Sequence, residues 1–139
     1  MDEITSAARS FFIDIALQKG IKPKEILKDD IGRNYIKPLI DNGYLFANNA
    51  SSEYGHGVVN GDNVPDKFIE IIDVASAQEI VIASDGYPKL FPTLKESEAY
   101  LKDVLLKDKL LCKEHKATKC MVEGNISFDD RTYVRFKVN

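Results

Sequence analysis

Four consecutive apolar residues, Ile80, Val81, Ile82 and Ala83, run directly into the sequence Ser84-Asp85-Gly86. A strand that is apolar on both of its faces must be covered on both, so helices or a second sheet are expected above and below it. Asp85 then lies at the rim of a packed layer. An ionised carboxylate in that position is costly unless a cation or several hydrogen bonds compensate for its lost hydration.

A second acidic turn, Asp129-Asp130-Arg131-Thr132, opens the last predicted strand of the chain. Two carboxylates at the ends of two strands indicate a site for a hard divalent cation, which prefers oxygen ligands. Gly86, directly after Asp85, lets the backbone turn sharply and leaves open space over the carboxylate. The alternative is that both sequences are ordinary turns, because Asp-Gly and Asp-Asp are favoured turn pairs.

From about Tyr54 to Asn139 the chain resembles the C-terminal half of the metal-dependent protein phosphatases of the 2C type. In that family a strand ends in Ser/Thr/Cys-Asp-Gly, a helical insertion follows, and Asp-Asp/Asn-x-Thr/Ser leads into a closing strand. The resemblance implies that Asp85 and Asp129 bind Mg²⁺ or Mn²⁺. It also implies that Gly86 and Asp130 lie next to the metal ligands without binding the metal themselves, and that Asp130 forms hydrogen bonds there. The family hydrolyses phosphoprotein phosphomonoesters with a metal-activated water.

The N-terminal half of that family supplies an Arg that binds phosphate and an Asp-Gly pair that bridges two metals. We find no counterpart of either in this sequence. Gly55-His56-Gly57 is similar to part of the metal-bridging motif, but Tyr54 stands where its Asp would be. The catalytic residues therefore stay unassigned. The chain is expected to be a fragment, a shortened relative or one half of a split enzyme, with little or no activity alone.

Two further interpretations stay open. The chain could be a non-catalytic module that keeps part of the fold and binds another protein, or a second copy of itself, through exposed strand edges and apolar surface. It could also be an unrelated α+β domain in which the two aspartates only form turns.

Length and charge narrow the classes of function. With 139 residues and 44% apolar content, one domain is expected over residues 1–139, comprising a helical segment 1–43 and a phosphatase-like portion 44–139. The net charge is −3 and the 19 basic residues are scattered, which argues against nucleic-acid binding. The absence of a long apolar run and of a basic leader argues against a membrane protein and predicts a cytoplasmic location.

Cys112 and Cys120 are the only cysteines, and His115 lies between them. The spacing does not match a zinc site, so two free thiols are expected. Cys112 and His115 could form a nucleophile pair, but sequence spacing alone does not orient such a pair, and chance is the preferred explanation.

The first forty residues have a helical pattern. A first helix is predicted to bury an apolar stripe and to end at Gly20, a second follows Pro23, and a third begins near Asp29 or Asp30 and is bent by Pro38. The stripe of the first helix, which we assign to core packing, consists of Ile4, Ala8, Phe11, Phe12 and Ile15.

Strands are predicted over the rest of the chain, interrupted by one helix. Residues 44–47 and 57–60 form a hairpin in this prediction, and residues 68–74 pair antiparallel with 80–83. The sequence Thr93-Leu94-Lys95-Glu96 is a capping box that starts a helix with Leu94, Leu101, Val104 and Leu105 inward. A short helical piece through Leu110 and Leu111 and a mobile Lys-rich loop complete the insertion.

The last strand alternates, with Thr132, Val134, Phe136 and Val138 on one face. One face of the sheet is therefore expected to contact solvent, another domain or another chain. The predicted fold is α+β: an antiparallel sheet, or a partial α/β/β/α-type sandwich, with N-terminal helices and a helical insertion before the last strand.

Overall fold

The computed structural model describes residues 2–138, and in this range it has four α-helices and one two-stranded antiparallel sheet. The α+β class is therefore confirmed. None of the helices in the described range combines the length and the apolarity needed to cross a bilayer. The elements are α1 (Asp2–Gln18), α2 (Pro23–Lys28), α3 (Ile31–Asp41), β1 (Glu79–Ala83), α4 (Leu94–Lys107) and β2 (Tyr133–Lys137), with short 3-10 helices at Gly43–Phe46 and Asp66–Phe68.

The first helix has the predicted extent but buries a different face. Phe11 is 69% exposed and Ile4 and Ile15 are exposed as well. The buried residues of α1 are instead Thr5, Ser6, Arg9, Ser10, Ile13 and Ala16. The small side chains on this face allow α3 to approach closely, and a Cβ on Gly32 would lie 2.8 Å from Cγ1 of Ile13.

Arg9 explains why a polar face is turned inward. Its side chain is fully buried, and its guanidinium donates to the carboxylate of Asp30, with Nη2 2.7 Å from Oδ2. The same guanidinium donates to the backbone carbonyls of Leu110, Leu111 and Ala117. A buried guanidinium needs this set of acceptors, because an unpaired charge in the interior is costly.

Asp30 extends the network from the N-terminal helices to the C-terminal part of the chain. Its carboxylate caps α3 by accepting from the N–H of Arg33, and it also accepts from the N–H of Cys120. Burial alone would raise the pKa of Asp30, but the hydrogen bonds from Arg9, Arg33 and Cys120 outweigh burial and hold that pKa below its usual value. The helix start predicted at Asp29 or Asp30 is therefore confirmed.

Residues 108–120 form a packed irregular segment rather than the predicted helical piece and loose loop. Asp108 ends α4, is buried, and accepts from the N–H groups of Cys112, Lys113 and Glu114. Leu111 is fully buried and has a φ of 49°, which is incompatible with helix. The apolar residues of this segment join both core clusters, Leu111 and Ala117 on one side and Leu110 and Cys112 on the other.

The predicted start of α4 is confirmed, with Thr93 as its N-cap and Leu94 as its first residue. The hydroxyl of Thr93 accepts from the N–H of Glu96 at 3.3 Å. The carboxylate of Glu96 accepts from this hydroxyl rather than from the backbone N–H of Thr93, so one half of the capping box is present. Leu101, Val104 and Leu105 are buried as predicted, whereas Leu94 is exposed.

The partner of β1 is β2, with Ala83 opposite Tyr133 and Glu79 opposite Lys137. The predicted pairing of β1 with residues 68–74 is wrong, because these residues form no strand and are mostly exposed. The predicted hairpin of 44–47 and 57–60 is also wrong: these residues contain a 3-10 turn and one isolated bridge between Ala47 and His56.

The core packs against one face of the sheet, and the other face is exposed, as the alternation in β2 predicted. Ala83 and Tyr133 lie on the face that packs against the core residues Tyr87, Leu101 and Phe128. The other face carries the cross-strand pairs Ile80–Phe136 and Ile82–Val134, and Ile82 is 57% exposed. Cover on both faces of β1 is therefore not found within the described residues.

Candidate cation site at the end of the sheet

The pairing of β1 with β2 brings the two acidic turns together. Because Ala83 is opposite Tyr133, the residues that follow β1 lie beside the residues that precede β2. The N–H of Ser84 donates to the carbonyl of Thr132 at 3.1 Å, and the N–H of Thr132 donates to the hydroxyl of Ser84 at 2.9 Å. Two motifs far apart in sequence thus form one corner of the molecule.

Gly86 is required at this corner for a different reason from the predicted one. A Cβ at this position would lie 2.3 Å from the backbone oxygen of Asp130 and 2.8 Å from Cβ of Arg131. The backbone of Asp130 therefore fills the space that we expected to be open, and no side chain larger than hydrogen fits. The contact holds the first acidic turn against the second.

Asp85 and Asp130 are both exposed. Within residues 2–138, neither carboxylate receives a hydrogen bond or forms an ion pair. Their oxygens are therefore available to water or to a cation, and their exposure removes the desolvation cost that the sequence predicted for Asp85.

Asp129 is half-buried and already has a cationic partner. Nζ of Lys119 lies 2.7 Å from its Oδ1, and the same oxygen accepts from the N–H of Asp130 at 2.9 Å. The second oxygen of this carboxylate has no partner among the described residues. The ammonium group of Lys119 therefore contacts the carboxylate oxygen that the resemblance would assign to a metal ion.

Beside this corner is a polar cluster that sequence reasoning missed. Arg131 makes a bidentate contact with Glu98 on α4, with Nε 2.8 Å from Oε1 and Nη2 3.0 Å from Oε2. The hydroxyl of the buried Tyr87 donates to Oε1 of Glu98 at 2.6 Å. The capping box places Glu98 on α4, but no pattern in the sequence links it to Arg131 or Tyr87.

The pKa shifts of this cluster agree with its geometry. Hydrogen bonds from Arg131 and then Tyr87 lower the pKa of Glu98 below its usual value. Burial, followed by the hydrogen bond to Glu98, raises the pKa of Tyr87. The cluster joins α4 to the start of β2, and Arg131 is fully engaged as a structural residue.

The cysteines are both free, as predicted, and the structure shows that both are buried. Burial raises the pKa of Cys112, and burial together with Asp30 raises the pKa of Cys120 to about 11. The ring of His115 packs on Phe128 with centroids 5.7 Å apart, and burial lowers the pKa of this imidazole. Such thiols are poor nucleophiles, because the thiolate is the reactive form.

The donor set at the corner is incomplete for a metal. Within residues 2–138 no three His, Cys, Asp or Glu side chains are grouped closely enough to hold an ion. Asp85 and Asp129 therefore fit a metal only as a partial set, which water or groups from elsewhere must complete. Comparison with protein-family models, with curated proteins and with solved structures finds no match to this chain.

Proposed function

We propose that this chain is a phosphatase-like domain similar to the C-terminal half of the metal-dependent 2C-type phosphatases. In this proposal Asp85 and Asp129 bind Mg²⁺ or Mn²⁺, and Gly86 and Asp130 shape their surroundings. The observation that supports it is the β1–β2 register, which joins the Ser84-Asp85-Gly86 turn to the Asp129–Thr132 turn at one corner of the sheet. Two unrelated turn sequences would not need to meet.

The chemistry in this proposal is hydrolysis of a phosphomonoester on a phosphoprotein, with the divalent ion lowering the pKa of a water and screening the phosphate charge. The chain's own carboxylates hold the ion. A phosphate-binding Arg must come from another segment or chain, because Arg131 is occupied by Glu98. The isolated chain is therefore weakly active or inactive. A cytoplasmic location and a further layer that completes a sandwich belong to the same proposal.

Calorimetric titration of the full chain with MnCl₂ and MgCl₂ tests the cation site. Weak binding is expected for the unchanged chain, and loss of binding for Asp85→Asn and for Asp129→Asn. Asp103→Asn is the matched control, because Asp103 also pairs with a lysine, Lys107, but on the exposed face of α4. Absence of Mn²⁺ binding, or equal binding by all variants, would contradict the proposal.

Hydrolysis of para-nitrophenyl phosphate by the same samples tests the expectation that the isolated chain is weakly active or inactive. Little or no turnover is expected, because the two carboxylates do not complete a two-metal site. Rapid Mn²⁺-dependent turnover that disappears in Asp85→Asn would show that the expectation of inactivity is wrong while supporting the site.

The exposed sheet face favours a second candidate, a non-catalytic module that self-associates. The pairs Ile80–Phe136 and Ile82–Val134 form an apolar surface on a two-stranded sheet, which is marginally stable without cover. A second copy presents an identical surface, so two copies can meet across a two-fold axis. In this second proposal, the partner that covers the exposed sheet face is a second copy of the chain.

Sedimentation equilibrium tests this second candidate. A dimer is expected that dissociates in Ile82→Lys, which puts a charge in the centre of the face. Val59→Lys is the control, because Val59 is 99% exposed and lies outside the sheet. A monomeric unchanged chain, or a dimer that survives Ile82→Lys, would exclude this interface.

A further inference from the structure

A groove beside α4 has an apolar floor. Its volume is about 1030 Å³, and it is bounded by α2, α4 and residues 121–126. Leu101 and Leu105 form part of its base and belong to the core. Leu106, Val122 and Ile126 line it as well, and all three are exposed. Three large exposed apolar side chains around one concavity are typical of an interaction site.

The border of this groove is basic. Five exposed lysines contribute to it from three different parts of the chain: Lys24, Lys28, Lys95, Lys102 and Lys109. Its only acidic lining residues are Glu98 and Glu123, and Glu98 is already paired with Arg131. The whole chain has a net charge of −3, so this excess of positive charge is local.

Within the described range, the five lysines are not neutralised by ion pairs. Lys37, Lys107 and Lys119 each form an ion pair with an aspartate. In the part of the chain that the structure describes, none of the five groove lysines forms an ion pair or donates a side-chain hydrogen bond. Their charges are therefore not compensated by ion pairs around the apolar floor.

We propose that this groove binds an acidic amphipathic peptide segment of a partner protein. The apolar face of the segment packs on Leu106, Val122 and Ile126, and its Asp and Glu side chains pair with the lysines on either side. This is the pattern of a helix bound in a groove, with apolar anchors at helical spacing and complementary charge at the rim. The proposal does not depend on Asp85 or Asp129.

The shape of the site favours a peptide over an anionic membrane. Membrane-surface binding needs apolar side chains that protrude beyond the basic ones into the lipid. Here lysines from α2 and from α4 line a concave groove, which a cylinder about 10 Å wide fills better than a flat surface does.

Fluorescence anisotropy of the full chain with a labelled test peptide examines the proposal. The peptide has roughly four helical turns, with Leu at i, i+3, i+4 and i+7 and Glu on the opposite face. Two control peptides keep the length: one has the same residues in scrambled order, and one has Lys in place of every Glu. Binding is expected for the first peptide alone, and it should weaken as salt is raised.

Charge reversal locates the site. The double variant Lys102→Glu/Lys109→Glu is expected to bind the acidic peptide at least roughly tenfold more weakly. Lys116→Glu is the matched control, because Lys116 is exposed but does not line the groove, and it should bind as the unchanged chain does. Far-UV circular dichroism checks that the variants fold. If the double variant does not fold, Leu106→Gln, at an exposed position, replaces it with the same expected loss.

Three results would overturn the proposal. The first is no binding of the acidic amphipathic peptide, and the second is equal binding by the groove and control variants. The third is binding of phosphatidylserine vesicles without binding of the peptide, which would identify the groove as a lipid site instead.

Discussion

Two irregular segments of this chain differ sharply in burial. Residues 108–120 contain six buried residues, among them Leu110, Leu111 and Cys120. Residues 57–78 contain none, although the sequence there is rich in β-branched residues, and Ile71 is 92% exposed. Apolar content therefore does not decide which of two irregular segments is buried.

The difference lies in the partners of the backbone. Arg9, Asp30 and Asp108 satisfy the carbonyl and N–H groups of residues 108–120, so this backbone can leave water without a strand or a helix. The longer segment has local bonds, such as the N–H of Ala77 to the carbonyl of Val74 and the N–H of Ala75 to the carboxylate of Asp73. Among the described residues, the one outside side chain that bonds its backbone is the uncharged Asn48, at Val58. The irregular segment that is buried is the one whose backbone bonds to charged side chains from distant parts of the chain.

The largest expected effect comes from removing the centre of that network. Arg9→Met leaves Asp30 and three buried carbonyls without their donor, so the free energy of unfolding should fall by about 3–5 kcal/mol. Urea titration followed by circular dichroism measures it. Arg135→Met is the control, because Arg135 pairs with Glu79 at the surface, where solvent screens the pair, and its loss should change the free energy of unfolding far less. Similar losses in both variants would contradict the comparison.

A smaller effect is expected in acid. Because the folded-state pKa of Asp30 is lowered, its contribution to stability is present above its unfolded pKa near 3.8 and is lost as pH falls through the folded pKa. Urea titrations between about pH 5 and pH 2 should show this loss, and Asp30→Asn should reduce it. Glu98 also has a lowered pKa and contributes to the acid dependence of both proteins. The quantity to compare is therefore the difference in acid dependence between the unchanged chain and Asp30→Asn. Identical pH dependence would argue against Asp30 as a charged anchor.

The smallest effect is expected in the exposed segment. Ile71→Ser should change the free energy of unfolding by less than about 0.5 kcal/mol, because Ile71 is almost fully exposed. Leu111→Ala, in the packed segment, should cost about 2–5 kcal/mol in the same assay. A large loss from Ile71→Ser would mean that residues 57–78 are covered in solution, for example by a second copy.

Local signals in the sequence predicted local structure well. The extents of α1 and α3 follow from apolar periodicity, Gly20 and Asp30, and the start of α4 follows from Thr93 and Glu96. These signals act within a few residues, so one sequence contains them completely. They do not say which side of a helix faces the core.

The errors arose where a distant residue decides the outcome. The inward face of α1 is set by Arg9, whose carbonyl acceptors lie more than one hundred residues away in sequence. The partner of β1 is β2 rather than the nearer residues 68–74, and no periodicity distinguishes these two partners. The same long-range pairing brings the turn that contains Asp85 beside the turn that contains Asp129, and it adds Lys119, which the sequence did not indicate.

If a metal binds at this corner as proposed, the ion pair of Lys119 with Asp129 makes its binding through Oδ1 an exchange reaction. A divalent ion that takes Oδ1 of Asp129 must release the ammonium group that lies 2.7 Å away. The ion brings two positive charges to the corner, and the departing ammonium group of Lys119 takes one away. The net local charge therefore rises by less than the full charge of the ion. Acetylation of Lys119 would remove the competing cation, so the metal affinity of the corner would be set by a modification state as well as by the carboxylates.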